Sequence, residues 1–452
     1  MDSTFTNLED LIRQAGLTNP FARNERNEGT VAVKKPKFLL VSTHIHQTTG
    51  YSKVTFHILK ELAKRNVCDI YHFGIQKFMI APEGYRQYPE GIQVYDPALK
   101  EKNKEAESEM GFGYSQLPDY VRSVKPDIVL IYNDAAVINQ YLNKLETIPV
   151  AERTYKLMIY LDQVYTIQRP ELLARIDRDA HTFFAFTKYW KDILEKQGIK
   201  KPIRVLRHGF DSAQFRQLDR TSIRLKHGIP ENAFVFLNVN RNTPRKRYDI
   251  VVTAFAELIA RHPAKPLLFL AICDNGESGG YPIQEIFLRE LTRLSLPIAQ
   301  HAQKFMISKS SMTYTDELIN ELYSLSDVGI TAAEGEGFGL CQFEAMGVGI
   351  PQVVPLVGGF RDYCIHGSNS QVVPTKWRSY LALSQCSVGG MAEYVDAFDL
   401  SLAAEEYLLD SELRELHGKR ARETVLAYTW ESEIQSLVNV IVTEGKPKEN
   451  TP

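Results

Sequence analysis

The 452-residue sequence is poor in the features that would place it in a disulfide-stapled, membrane-spanning or nucleic-acid-binding class. It holds five cysteines, Cys68, Cys273, Cys341, Cys364 and Cys386. The number is odd, none stands in a CxxC pair and none sits at zinc-ligand spacing, which excludes a disulfide framework and leaves reduced, mostly buried thiols. Long hydrophobic runs are missing as well. Stretches such as Leu267–Cys273 fall far short of the roughly 18 residues that a membrane span needs. Nor is there a charge excess: 53 Lys plus Arg face 55 Asp plus Glu, a formal charge of −2. No global basic field therefore draws the chain to nucleic acid or to an anionic membrane. The opening residues, MDSTFTNLED, lack a basic stretch followed by an apolar one, so no secretory signal is expected and the expected location is cytoplasmic. A GxGxxG fingerprint and a GxxxxGK[ST] loop are both absent, which leaves dinucleotide and P-loop chemistry without support. Any anion must be bound by a local site.

What is present is an ordinary globular composition, 44% apolar and 24% charged. At about 150 residues per domain the length predicts two or three domains. Residues 1–36 read as an arm, with one weakly amphipathic segment around Leu8, Leu11 and Ile12. From Lys37 short, fully apolar runs alternate with helical periodicity: KFLLVST, a helix over Tyr51–Lys64, VCDIYHF, DIVLIY, KLMIYL, TFFAF and PIRVL. Such runs predict a parallel sheet covered on both faces, a doubly wound α/β domain. A polar stretch from Arg207 to Glu231 interrupts the rhythm, and a second series follows: FVFLNVN, PLLFLAIC, KFMIS, DVGIT and PQVVP. The expected division is an arm (1–36), a first Rossmann-like domain (37–208), a second (209–427) and a crossing helix with a tail (428–452). Residues 366–392 read as a long surface insertion, with helical periodicity returning from Met391 to Val442. Oligomeric state leaves no signal.

Three strings could carry chemistry. The strongest is EGEGFGLCQFEAMG, residues 334–347, directly after DVGIT. Its glycines allow close approach to the backbone. Apolar spacing resumes at Leu340, Phe343 and Met346, so a helix should begin near Gly339 and aim its free amides and dipole at the crevice, which suits a phosphate. Glu336 in the loop and Glu344 one turn into the helix suit hydroxyls of one ligand, a sugar and a ribose. The competing reading is a glycine-rich turn with solvent-facing glutamates. In the second string, FLNVNRNTPRKRYDIVV, Arg241, Arg245, Lys246 and Arg247 lie at a strand's carboxyl end, where α/β ligands bind. Cations at a helix start oppose its dipole, which favours an anionic ligand over a merely solvated basic turn. A charged hydrogen bond contributes about 1.5–3 kcal/mol, so two of them and a helix N-terminus are enough for a diphosphate. The third string, STHIHQTTGYSK at 42–53, brings Gly50 to the crevice. His44 and His46 would point apart in an extended chain, against a shared metal. Asp177-Arg178-Asp179 matches DxD but lies at an amphipathic helix end, and no metal is expected there. Asp162, directly after KLMIYL, is better placed at the crevice, with helix capping as its plain alternative.

Together these strings resemble the retaining glycosyltransferases of family 4, which have the GT-B fold. The likeness runs from about residue 37 to 442 and is more specific in the second half. The family's EGFGLxxxEAMxxGxPVV string and GG turn are similar to Glu336–Pro351 and Gly358-Gly359. The resemblance implies that Glu336 contacts the donor sugar, that the amides of Gly337, Phe338, Gly339 and Leu340 lie against sugar and phosphate, and that Glu344 holds the ribose. It implies further that Arg241 and Lys246 bind the donor diphosphate, with Gly50 close by. HGFDSAQF (208–215) resembles the interdomain segment and YTWESEI (428–434) the final helix. Two positions depart from the pattern: Thr49 stands where many members have glycine, and Leu161-Asp162 where many have His-Asp, so Asp162 inherits only the Asp of an acceptor-side catalytic pair. The expectation is a metal-independent, cofactor-free retaining transferase. It moves a hexose from a UDP- or GDP-sugar to an acceptor hydroxyl, of a glycan first of all, and shows no protein nucleophile. A GT-B sugar-nucleotide epimerase and a non-catalytic nucleotide-sugar-binding protein stay open as alternatives.

Overall fold

The strands form where the apolar runs lie, and they pair into two parallel sheets. The structure, a computed structural model, describes residues 34–77, 85–101, 109–277, 279–308, 314–384 and 386–445. Most of the expected arm, the end of the tail and residues 102–108 of the charged run between Lys100 and Glu109 lie outside the described residues. The first sheet comprises β1 (Lys37–Thr43), β2 (Asp69–Ile75), β3 (Gln93–Tyr95), β4 (Ile128–Asn133), β5 (Lys156–Leu161), β6 (Thr182–Ala185) and β7 (Ile203–Val205). Their order is β3-β2-β1-β4-β5-β6-β7. The second comprises β8 (Phe234–Asn238), β9 (Leu267–Ala271), β10 (Phe305–Ile307), β11 (Val328–Ile330), β12 (Gln352–Pro355) and β13 (Ser370–Val373), in the order β10-β9-β8-β11-β12-β13. Central strands such as Ile128–Asn133 and Leu267–Ala271 are buried along their whole length, as helices on both faces require.

In each sheet the winding reverses once, between β1 and β4 and between β8 and β11. Loops that leave two strands at such a reversal diverge and open a crevice at the carboxyl edge. The candidate strings occupy these positions: residues 44–49 follow β1, residues 239–247 follow β8 and residues 331–339 follow β11.

Three expectations change. Residues 366–392 are not an insertion throughout, because Ser370–Val373 is buried and pairs with β12 as the edge strand of the second sheet. Beyond it β14 (Trp377–Tyr380) and β15 (Met391–Tyr394) form an antiparallel hairpin. Met391 therefore begins a strand, and the helical pattern resumes only at Ala397, capped by Asp396. Finally, His44 and His46 do not point apart. β1 ends at Thr43, the chain turns, and the two rings meet edge to face with centroids 4.8 Å apart.

The last helices, Trp430–Glu433 and Gln435–Glu444, return to the first half as expected. His57 stacks on Trp430 at 4.8 Å, and Lys156 pairs with Glu444.

Candidate active site

Gly339 opens the helix Leu340–Val348 with φ +91°, a conformation that glycine adopts without strain. A Cβ there would also run into the buried Phe360 ring. Gly339 itself puts no side chain at the helix N-terminus. Opposite, the helix Gly50–Arg65 starts from the β1 loop, and a Cβ on Gly50 would stand 3.2 Å from Leu340 Cδ1. Gly50 and Leu340, separate strings in the sequence, are neighbours across the cleft. Thr49 explains its own departure from glycine. At φ −116° it needs no glycine, and its hydroxyl accepts from the Ser52 amide while Ser52 Oγ accepts from the Thr49 amide, a complete capping box.

The basic string divides. Lys246, in a single 3-10 turn, is buried and bonds Glu336 Oε2; Arg245 approaches the same oxygen at 3.4 Å and donates to the Gly335 carbonyl at 2.8 Å. Burial raises the Glu336 pKa, but Lys246 and Arg245 outweigh it and hold the carboxyl below its usual range. Among the described residues Arg241 forms no ion pair. It keeps contact with solvent, and shielding of its guanidinium by the cleft walls, followed by the like charge of Arg245, lowers its pKa. Arg247 leaves the group: it is engaged by Asp249 at 2.7 Å and Glu334 at 3.6 Å and lies over the Tyr394 ring. Two cations thus share one carboxylate, Glu336, and Arg241 stands near them without an ion pair of its own, an imbalance that an anion would relieve.

Asp162 is brought to this group from the other sheet. Tyr51 donates to its Oδ2 at 2.5 Å, and a Cβ on Gly337 would collide with its Oδ1. Burial, then Asp134 and Glu336 as like charges, pushes the Asp162 pKa up to about 6 against the Tyr51 hydrogen bond and Arg245. Leu161 is a buried core residue and brings no second polar group.

Glu344 is buried and already bonded. Lys53 Nζ, from the opposite half, donates to Oε1 at 2.6 Å, and Tyr323 donates to Oε2 at 3.2 Å. Burial raises its pKa, and Lys53 counters that. The Phe338 side chain is buried in a cluster with His208, Phe343 and Tyr363, at ring distances of 4.4, 4.9 and 5.4 Å, and so brings no ring to the cleft. Asp177 caps the amides of Lys200 and Lys201, and Asp179 pairs with Arg178. Among the described residues no group of His, Cys, Asp and Glu is arranged to hold a metal ion.

Sequence reasoning missed the residues that reach across the cleft: Lys53, Tyr165, whose hydroxyl donates to Glu334 at 3.0 Å, and Trp190, whose indole donates to the Gly337 carbonyl at 2.7 Å. Lys53 left one signal, a cation in the first turn of a helix after a glycine, the same mismatch that marked Arg245.

With this geometry in view, a family model described as glycosyl transferases group 1 matches residues 219–383. Residues 219–383 belong to that family. The matched segment holds Arg241, Lys246, Glu336 and Glu344. A curated relative, D-inositol 3-phosphate glycosyltransferase 2 of Catenulispora acidiphila, is 30% identical over 165 residues, 36% of this chain and 37% of its own length. The chain spans less than half the length of the curated relatives it matches. Over the whole fold the chain is similar to sucrose-phosphate synthase from Thermosynechococcus elongatus, with a TM-score of 0.67 at 16% identity over 90% of this chain and 98% of that one. It is also similar to Anabaena HepE solved in complex with UDP-glucose, with a TM-score of 0.66 at 16% identity over 90% and 100%. The fold is the GT-B arrangement of two Rossmann-like domains. No helix among the described residues is long and apolar enough to cross a membrane.

Proposed function

We propose that the chain is a retaining glycosyltransferase that moves a hexose from a nucleotide diphosphate sugar to an acceptor hydroxyl and needs no metal. The half of residues 37–208 takes the acceptor and the half of 209–427 the donor. One observation carries the reading: Arg245 and Lys246 share a single carboxylate, Glu336, with Arg241 near them without an ion pair, beside the N-terminus of Leu340–Val348. As the bond from sugar to phosphate breaks, negative charge gathers on the departing diphosphate. Fixed cations and helix amides stabilise that charge with little reorganisation. Glu336, held by Lys246 and Arg245, orients the sugar hydroxyls, and Glu344 holds the ribose. Asp162, held by Tyr51 on the acceptor side, takes the acceptor hydroxyl's hydrogen bond. The family match and the relative's name as a glycosyltransferase support transfer over the epimerase and binding-protein alternatives, and the UDP-glucose in complex with HepE supports a UDP-sugar donor.

Calorimetric titration with UDP-, GDP- and ADP-sugars without metal tests the donor half. Binding of one sugar nucleotide that Arg241→Ala and Glu344→Ala both weaken is the expected result, and no binding at millimolar concentration would sink the reading. Product analysis then separates the classes: acceptor-dependent glycoside means transferase, isomerised donor means epimerase, and binding without product means neither.

A further inference from the structure

The reaction outlined above makes no use of Lys53, yet it is among the most enclosed cations in the protein. Its side chain is 14% exposed, and its Nζ stands 2.6 Å from Glu344 Oε1, 3.1 Å from Asp316 Oδ1 and 4.6 Å from the centre of the Phe215 ring. Arg86 grips the far side of Asp316, with Nη2 3.1 Å from both carboxylate oxygens. The group holds two bases and two acids. Two of these residues, Lys53 and Arg86, come from the first half of the chain, and Asp316 and Glu344 from the second.

The charges balance here, in contrast to the two cations that share Glu336. A balanced site has no call for a phosphate but can receive neutral hydroxyls on the lone pairs that Glu344 keeps free. A lysine in the first turn of a helix opposes the helix dipole, so its placement needs this compensation. Taking the charge off Lys53 would leave Glu344 buried beside a second acid with only the Tyr323 hydroxyl bonded to it.

We infer that Lys53 is a positioning residue for the nucleotide: from the acceptor-side half it keeps the Glu344 carboxylate charged and aimed, so that ribose recognition depends on both halves of the chain. This rests on the proposed donor reading, in which Glu344 holds the ribose. The groups that face Glu344 are Lys53 from the helix Gly50–Arg65, Asp316 and Tyr323 from the helix Asp316–Leu325, and Cys341 on its own helix, with Arg86 behind Asp316. Of these only Lys53 is a cation in direct contact with it.

The test is calorimetry with UDP, GDP and ADP between pH 6 and 9, on the wild type, Lys53→Met, Lys53→Gln, Lys53→Arg, Glu344→Gln and the Lys53→Met/Glu344→Gln double variant, each checked by thermal melting. Lys53→Met is expected to weaken the best nucleotide at least tenfold at pH 7. Without Lys53, burial and Asp316 shift the ionisation of Glu344 upward. Affinity should then recover as the pH rises when it is taken relative to the wild type at each pH, a ratio that removes the ionisation of the nucleotide's own phosphate. Lys53→Gln, which keeps a hydrogen-bond donor and loses only the charge, should show the same pH profile, and Lys53→Arg should restore most of the affinity. The double variant should bind no more weakly than Glu344→Gln alone, since the two side chains act as one unit. Unchanged binding in folded Lys53→Met and Lys53→Gln would overturn the inference and leave Lys53 as a strut. Tighter binding would overturn it too and make Lys53 a plug in the ribose site. If the wild type bound none of the three nucleotides, the donor reading itself would fall, and this one with it.

Discussion

Asp162 pays for its position in folding energy. A carboxyl whose folded pKa is raised from 3.8 to about 6 stays protonated in the folded chain while the unfolded chain ionises. The penalty is absent below the unfolded value, grows as the pH rises from about 4 to 6, and is complete above that. At 1.36 kcal/mol per unit it amounts to about 3 kcal/mol at most. Asp162→Asn should therefore raise the melting temperature at pH 7.5 and change it little at pH 4, while depressing acceptor-dependent turnover at both. Equal stabilisation at both pH values would show that the Asp162 charge is not the cause. Lys246 makes the opposite case. Its removal leaves Glu336 buried with Arg245 alone and, in the proposed reaction, takes one cation from the leaving diphosphate. Lys246→Ala should lower turnover at least tenfold, as charged groups at such sites commonly do. Unchanged turnover would remove Lys246 from the mechanism.

Among the elements, the helix Leu340–Val348 depends on its first glycine. Gly339→Ala has to hold φ near +91° and displace the buried Phe360 ring. The left-handed backbone alone costs an alanine about 1–2 kcal/mol. Either the protein melts several degrees lower or the helix start shifts, and nucleotide binding is lost in both cases; retained melting and binding would count against the strained start. Thr49→Ala removes only a capping box, so it should cost about 1 kcal/mol, measured by denaturant unfolding, with nucleotide affinity little changed. These elements were legible in the sequence because their determinants are local. A strand buried on both faces writes itself as IVLIYN or LLFLA, and the glycine loop with its two glutamates is a contiguous string. Elements that are exposed, or whose buried positions are polar, left no such trace. QVY of β3 is a largely exposed edge strand, WRSY of β14 is exposed at every position, and SQVV of β13 hides its burial behind two polar residues. The candidate site divides the same way. Arg241, Lys246, Glu336 and Glu344 were visible as motif, but their partners lie far off in the chain: Lys53 is 291 residues from Glu344, Tyr165 169 from Glu334 and Trp190 147 from Gly337. No spacing rule reaches that far.

On the scale of the whole molecule, those three long-range ties cross the cleft to the glycine loop and its helix, and each joins a side chain of the first half to the second half. Domains joined in one chain move relative to each other unless their interface holds them. Here the interface is polar at the cleft and apolar at the hinge side, where Trp430 stacks on His57 and the Phe210 amide bonds the Tyr428 carbonyl at 2.7 Å. A neutral hydrogen bond contributes a net ~1 kcal/mol and one to a charged group ~1.5–3 kcal/mol. Three ties therefore favour the closed cleft by roughly 3 kcal/mol or more, which is about a hundredfold in population. The ligand-free chain should be closed most of the time, and small-angle scattering should show little compaction of the wild type on adding UDP. Tyr165→Phe with Trp190→Phe removes two of the ties while an aromatic ring stays at each position, the smaller one at 190. That variant should scatter as a more open particle when free and contract when UDP is added, with an association rate for UDP above that of the wild type because the mouth no longer has to open first. A wild type that compacts strongly with UDP would mean that the ties are weaker than the solvation they replace, and that closure is driven by the nucleotide bridging the cations of one half and the Gly50 loop of the other.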